Sequence, residues 1–153
     1  MVLSYRFDAP VERVWQAWID GEQVKQWWGP HGFSAPVANM DVREGGTSLV
    51  CMRSPDGHDL YNTWTYQTIV PKQRLEFIQH FVDSDGKQIE PTAIGLPSGI
   101  PNAVRHVITF EGTGEAETEL TVTEYGYTSD DVVELSRLGM RQVLEKLAAS
   151  LGA

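Results

Sequence analysis

The sequence predicts a single α+β domain, residues 1–153, in which an antiparallel sheet of about seven strands curls around one long C-terminal helix. Three observations support this fold class. Hydrophobic residues alternate with a period of two over most of residues 34–127, a helical stripe follows, and 153 residues is the size of one domain. Two short helices are expected after the first strand, and an internal cavity is expected between the sheet and the long helix.

The N-terminal segment contains a short strand and two short helices. Val2–Phe7 is rich in β-prone residues, and the apolar residues of positions 11–18 recur at helical spacing after Pro10, which suits a first helical turn. Asp20 and Gln23 resemble a capping box that starts a second helix. That helix is predicted to end at Gly29-Pro30.

The central part of the chain reads as a meander of six strands. Turn signals divide it at residues 44–46, 54–57, 71–72, 85–86 and 112–114. Short turns favour antiparallel neighbours, and the N-terminal strand supplies a seventh member of the sheet. The last period change marks the long helix, for which Thr128 and Asp131 form a plausible capping box. Its apolar stripe, which must pack on the sheet, consists of Val133, Met140, Val143, Leu144, Leu147 and Leu151.

The alternation of side chains along each strand predicts which residues face the helix. Trp64 and Tyr66 lie on one face of their strand, which is therefore predicted to be the face toward the helix. A tight turn at 71–72 brings Tyr66 near Phe77 and Trp64 near Gln79. The same face then holds aromatic and amide side chains that suit a binding pocket. The residues predicted to bind a ligand are Trp28, Asn62, Trp64, Tyr66, Phe77, Gln79, Phe81, His106, Val122, Glu124, Met140 and Leu144.

His106 and Glu124 are the candidate catalytic residues, because both are predicted to face inward and to lie opposite or diagonal to each other. Burial and mutual attraction would shift their pKa values, which is typical of functional sites. Two alternatives remain open. His106 could be a satisfied histidine of the pocket wall, and Glu124 could be solvated at a strand end or bonded to the Trp27-Trp28 loop.

Residues 82–102 form a long connection with three prolines, which suggests a lid or an interface. Its apolar patch is Ala93, Ile94, Leu96 and Ile100.

Composition excludes several function classes. The net charge of −9 and the lack of a basic cluster argue against nucleic acid, and no apolar run approaches the roughly 20 residues of a membrane span. The four histidines are widely spaced and Cys51 is the lone cysteine, so we expect neither a metal nor another cofactor. The lone thiol and the absence of a secretion signal favour a cytoplasmic protein.

Several segments of the sequence resemble a known family. WWGPHGF at 27–33, DVREGG at 41–46, SPDG at 54–57 and LTVTEYGYTSDDV at 120–132 are similar to homologues of the activator of heat-shock-protein-ninety ATPase. This family lies in the SRPBCC or START-like helix-grip superfamily, which includes birch-pollen-allergen-like carriers. The resemblance implies a β-α-α-β6-α order and a cavity that takes lipids, hormones, polyketides or other apolar molecules. It supplies no catalytic motif, and chaperone stimulation looks like a property of larger eukaryotic members with an additional N-terminal domain.

Three functions therefore stay open at this point. The first is binding of a small apolar or aromatic molecule in the cavity. The second is an enzyme of the cyclase, dehydratase or hydrolase type that uses His106 and Glu124 as an acid-base pair. The third is a protein-interaction module, either in a homodimer or with a chaperone partner, for which an interior without a cavity would be evidence.

Overall fold

The strands and helices follow the predicted order. A computed structural model describes residues 1–152. The strands are β1 (Val2–Phe7), β2 (Ser34–Asn39), β3 (Thr47–Arg53), β4 (Asp59–Val70), β5 (Arg74–Val82), β6 (Ala103–Gly114) and β7 (Glu117–Tyr125), and the helices are α1 (Val11–Ile19), α2 (Gly21–Trp27) and α3 (Asp130–Gly152). No helix within this described part of the chain is long and apolar enough to cross a membrane.

All seven strands belong to one curled antiparallel sheet with the order β1-β7-β6-β5-β4-β3-β2. Strands β2 to β7 form the predicted meander, because each pairs with the next one along the chain. Strand β1 pairs with β7, so the N-terminal strand forms one edge of the sheet, and β2 forms the other. The predicted α+β fold is therefore confirmed.

The pairing of the strands confirms the predicted inner face. Trp64 lies opposite Gln79 and Tyr66 opposite Phe77, while His106 lies directly opposite Glu124. The alternation stops after Tyr66, because a bulge shifts the register between Tyr66 and Thr68.

Local hydrogen bonds confirm Asp20 as the first cap and correct the second. The Asp20 carboxylate accepts from the Glu22 N–H at 3.1 Å and from Gln23 Nε2, while the Asp20 N–H donates to the Gln16 carbonyl, so the second hydrogen bond of a capping box is not formed. For α3 the capping oxygen is that of Ser129, which accepts from the Val132 N–H at 3.3 Å, and not that of Thr128. In this helix Val132 is buried, whereas the predicted stripe residue Val133 is only half-buried.

Aromatic rings fill the space between α1, α2 and the sheet. Trp64, Phe77 and His106 stack in a row on the inner face, with ring centroids 4.8 Å apart at each step. Trp18 and Trp28 cover this row from the helical side, at 6.1 and 5.0 Å from Trp64. This layer is packed, so the cavity lies elsewhere on the inner face.

Polar contacts hold α3 against the rest of the domain. Lys146 donates from Nζ to the carbonyl oxygens of Gly29 and Phe33, at 3.1 and 3.0 Å, and burial lowers the pKa of its amine. Near the C-terminus of the helix, Arg13 donates to the Leu151 carbonyl at 2.8 Å. These contacts join α3 to the loop that follows α2 and to α1.

Candidate functional site

A cavity of about 160 Å³ lies between α3 and the inner face of the sheet. It exists because α3 has small residues where it passes over this part of the sheet. Gly139 and Ser136 of α3 interrupt the apolar stripe, and the sheet presents the amides Asn62 and Gln79. A Cβ added at Gly139 would meet no atom within 4 Å among the described residues.

Three larger hollows are found among the described residues: one of about 210 Å³ lies between the end of β1 and the end of α3, and the other two lie beside α1 and α2. Of these two, one of about 500 Å³ is lined by Glu12, Gln16 and Gln23, and the other, of about 770 Å³, by residues that include Asp20 and Glu22. Polar side chains predominate in the linings of these two hollows. The cavity under α3 is the candidate site, because it combines apolar walls with a few convergent buried polar groups.

The polar end of the cavity contains the predicted pair. His106 Nε2 lies 2.7 Å from Glu124 Oε2, and the two side chains are 2% and 4% exposed. His106 Nδ1 lies 3.1 Å from the carbonyl oxygen of Val104. Both ring nitrogens therefore face protein oxygen atoms, and the ring is held between the carboxylate and the backbone.

Two hydroxyl groups complete the surroundings of Glu124. Tyr127 donates to Glu124 Oε1 at 2.7 Å, and Ser136 of α3 donates to the same oxygen. Burial alone would raise the pKa of Glu124, but the His106 charge and the hydrogen bonds from His106, Ser136 and Tyr127 outweigh it and lower the pKa to about 2. Burial and the Glu124 charge together raise the pKa of Tyr127. The network therefore joins β6, β7, the loop after β7 and α3.

This network contributes stability that depends on pH. The folded state lowers the pKa of Glu124 from 4.5 to about 2, so its contribution is complete above pH 4.5 and is lost as the pH falls through 2. We expect a loss on the order of 3 kcal/mol over this window. The measurement is urea unfolding at pH 6, 4 and 3, for the natural chain and the double variant His106→Leu/Glu124→Leu. A stability difference between the two proteins that does not shrink toward pH 3 would contradict the prediction.

The structure brings together some of the residues predicted to bind a ligand and separates others. Those that line the cavity are Trp28, Asn62, Gln79, Phe81, His106, Glu124 and Met140. The others are buried in the packed core and do not line it, which corrects the predicted wall: Trp64, Tyr66, Phe77, Val122 and Leu144. Lining residues that the sequence reasoning missed are Pro30, Met52, Leu60, Tyr127, Ser136, Gly139 and Val143.

Residues 82–102 do not line this cavity. The segment contains a 3-10 turn at Pro91–Ile94, and the Gly99 carbonyl accepts from the Thr128 N–H at 3.0 Å. It therefore packs beside the start of α3. Within residues 1–152, no group of three His, Cys, Asp or Glu side chains is arranged to hold a metal ion.

The fold and the cavity define a helix-grip protein, in which a curled sheet encloses a long C-terminal helix. The chain matches the family described as Activator of Hsp90 ATPase homolog 1-like protein over residues 8–152, and it belongs to that family. This confirms the resemblance found in the sequence.

Solved structures show the same fold. A protein from Chromobacterium violaceum has a TM-score of 0.80 and 25% identity, over 100% of this chain and 96% of its own. One from Arthrobacter aurescens has a TM-score of 0.80 and 27% identity, over 99% and 84%. An AHSA1 protein from Silicibacter pomeroyi has a TM-score of 0.79 and 21% identity, over 99% and 96%. No curated protein matches the chain.

Proposed function

We propose that the protein binds a small apolar or aromatic molecule in the cavity between α3 and the sheet. The observation that carries this proposal is the cavity itself, which opens between α3 and the inner face of the sheet and is lined mainly by apolar side chains. A helix and a sheet that pack against each other in a core rarely leave a gap larger than a water molecule, so a space of this size is a departure from ordinary packing. The helix-grip fold of the family is consistent with ligand binding.

The volume limits the size of the ligand. An engineered apolar cavity of roughly 150 Å³ binds benzene, so the cavity of about 160 Å³ suits a molecule with a single ring. Sterols and long acyl chains need several times this space. The proposal therefore narrows the broad range of apolar ligands that the family resemblance implied.

Ligand binding is better supported than acid-base catalysis by the His106–Glu124 pair. Both ring nitrogens of His106 face protein acceptors, and both carboxylate oxygens of Glu124 accept from protein donors. A general base needs a free lone pair within hydrogen-bond reach of its substrate. The saturated pair is better suited to shape one end of the cavity and to anchor α3 there.

Filling the cavity tests the proposal. Gly139→Leu would place a side chain into the open space beside Gly139, and we expect it to weaken binding of toluene or phenol at least tenfold. Replacing a glycine within a helix also raises helix propensity, by about 0.5 to 1 kcal/mol, so lost binding would not reflect unfolding. The measurement is the change of tryptophan fluorescence on titration, because Trp28 lines the cavity.

The matched control is Leu138→Ala, one residue away on the same helix. Leu138 is 56% exposed and does not line the cavity, so this variant is expected to bind as the natural chain does. Equal binding by the Gly139→Leu variant and the control would place the ligand elsewhere. Absence of binding by the natural chain, across a panel of single-ring molecules, would overturn the proposal.

A further inference from the structure

We infer that the ligand is an uncharged single-ring molecule with one polar group that hydrogen-bonds to the amide side chain of Gln79. This inference rests on the proposed function and names its ligand class. Three features of the cavity carry it: the unpaired hydrogen-bonding atoms, the balance of charge and the nature of the apolar wall.

The first feature is a pair of buried side chains with unused hydrogen-bonding atoms. Gln79 is 8% exposed and lines the cavity, and its Oε1 has no hydrogen-bond partner among the described residues. Trp28, on the opposite wall, is 5% exposed, and its indole N–H lacks an acceptor in the same range. Buried polar atoms are rarely left unpaired, because the loss of hydration is not recovered.

Asn62 adds a second amide beside Gln79. It lines the cavity at 1% exposure, and the hydrogen bond recorded from its Nδ2 is a long one of 3.5 Å to the His80 carbonyl. Rotation of an amide about its last bond presents either a donor or an acceptor. The two amides on β4 and β5 can therefore serve a hydroxyl or carboxamide group, which both donates and accepts.

The second feature is the balance of charge. Among the described residues that line the cavity, His106 and Glu124 are paired with each other at 2.7 Å, so neither is free to face a charged ligand. The nearby cation of Lys146 is directed at the carbonyl oxygens of Gly29 and Phe33 and does not line the cavity. An anionic or cationic ligand would be buried without a counter-charge, which is costly.

The third feature is the apolar lining of the cavity, part of which lies on the same face of the sheet as the amides, because Phe81 pairs with Asn62. Phe81 and Trp28 contribute aromatic rings, and Met52 and Met140 contribute thioethers. Methionine sulfur and aromatic rings both make favourable contacts with an aromatic ring. The wall therefore favours an aromatic body over a purely aliphatic one of equal size.

Two pairs of probes of matched shape test this ligand class by NMR titration of the ¹⁵N-labelled chain. Phenol differs from toluene by a hydroxyl group in place of a methyl group, and we expect phenol to bind about five to ten times more tightly. Benzamide differs from benzoate by its lack of charge, and we expect it to bind at least a hundred times more tightly, an order-of-magnitude estimate.

Variants identify the group that recognises the polar atom. Gln79→Met keeps the length of the side chain and removes its amide, so the ratio of phenol to toluene affinity should fall to about one. Gln67→Met is the matched control, because Gln67 lies on β4 but is exposed, and it should leave the ratio unchanged. If Gln79→Met does not fold, the two probe pairs on the natural chain decide the question.

The outcomes separate this inference from the proposed function. Failure of all four probes to bind would overturn both. Toluene binding as tightly as phenol, or benzoate as tightly as benzamide, would overturn the inference and leave the cavity a ligand site. An unchanged ratio in a folded Gln79→Met variant would exclude Gln79 as the recognising group.

Discussion

Glu124→Leu is expected to lower the free energy of unfolding by about 3 to 5 kcal/mol. The substitution removes the carboxylate that faces His106 Nε2, and it leaves that ring buried at 2% exposure without its partner, at the end of a row of stacked rings. Tyr127 and Ser136 lose their common acceptor at the same time. The measurement is urea unfolding at pH 7, followed by circular dichroism.

A comparison of three variants identifies the cause of this loss. Glu124→Gln keeps an acceptor for Tyr127 and an amide beside the ring, so it should cost less than Glu124→Leu. The double variant His106→Leu/Glu124→Leu removes both members of the pair and should also be more stable than the single leucine variant, although it changes more atoms. A double variant less stable than Glu124→Leu would show that packing, and not the unpaired polar partner, causes the loss.

The regular parts of the fold could be predicted because alternation along a strand is a local property. The aromatic residues of β4 identify its inner face, and the hairpin pairing then shows which residues of β5 lie on the same face. The pairing of β6 with β7 places His106 opposite Glu124 in the same way. Prediction failed where the backbone departs from regularity. The bulge after Tyr66 and the cap at Ser129 each involve a single position, and a neighbouring residue could form the bulge or the cap equally well.

The lining of the cavity could be predicted only in part. Alternation shows that Trp64 and Gln79 point inward. It does not show that Trp18 and Trp28 cover Trp64, or that Gln79 stays open to the cavity. That distinction depends on how α1 and α2 dock, which is a tertiary property. One missed signal was present: Ser136 lies four residues before Met140, so a small polar residue interrupts the apolar stripe.

Trp64→Ala is expected to destabilise the protein by about 3 to 5 kcal/mol, which corresponds to a fall in melting temperature of roughly 6 to 20 °C. The Trp64 side chain is fully buried and contacts the rings of Trp18, Trp28 and Phe77. Removing it leaves a void among three rigid rings that cannot close fully around it. The measurement is thermal unfolding followed by calorimetry.

Two conservative variants separate the ring of Trp64 from its N–H group. The indole N–H of Trp64 is buried without an acceptor among residues 1–152, whereas that of Trp27 donates to the Ala17 carbonyl at 3.1 Å. Trp64→Phe keeps an aromatic ring and removes an unpaired donor, while Trp27→Phe leaves a buried carbonyl without its partner. We therefore expect Trp64→Phe to cost less than Trp27→Phe. Equal losses would mean that the Trp64 N–H has a partner in solution, and the packed row behind the cavity would then be accessible to water.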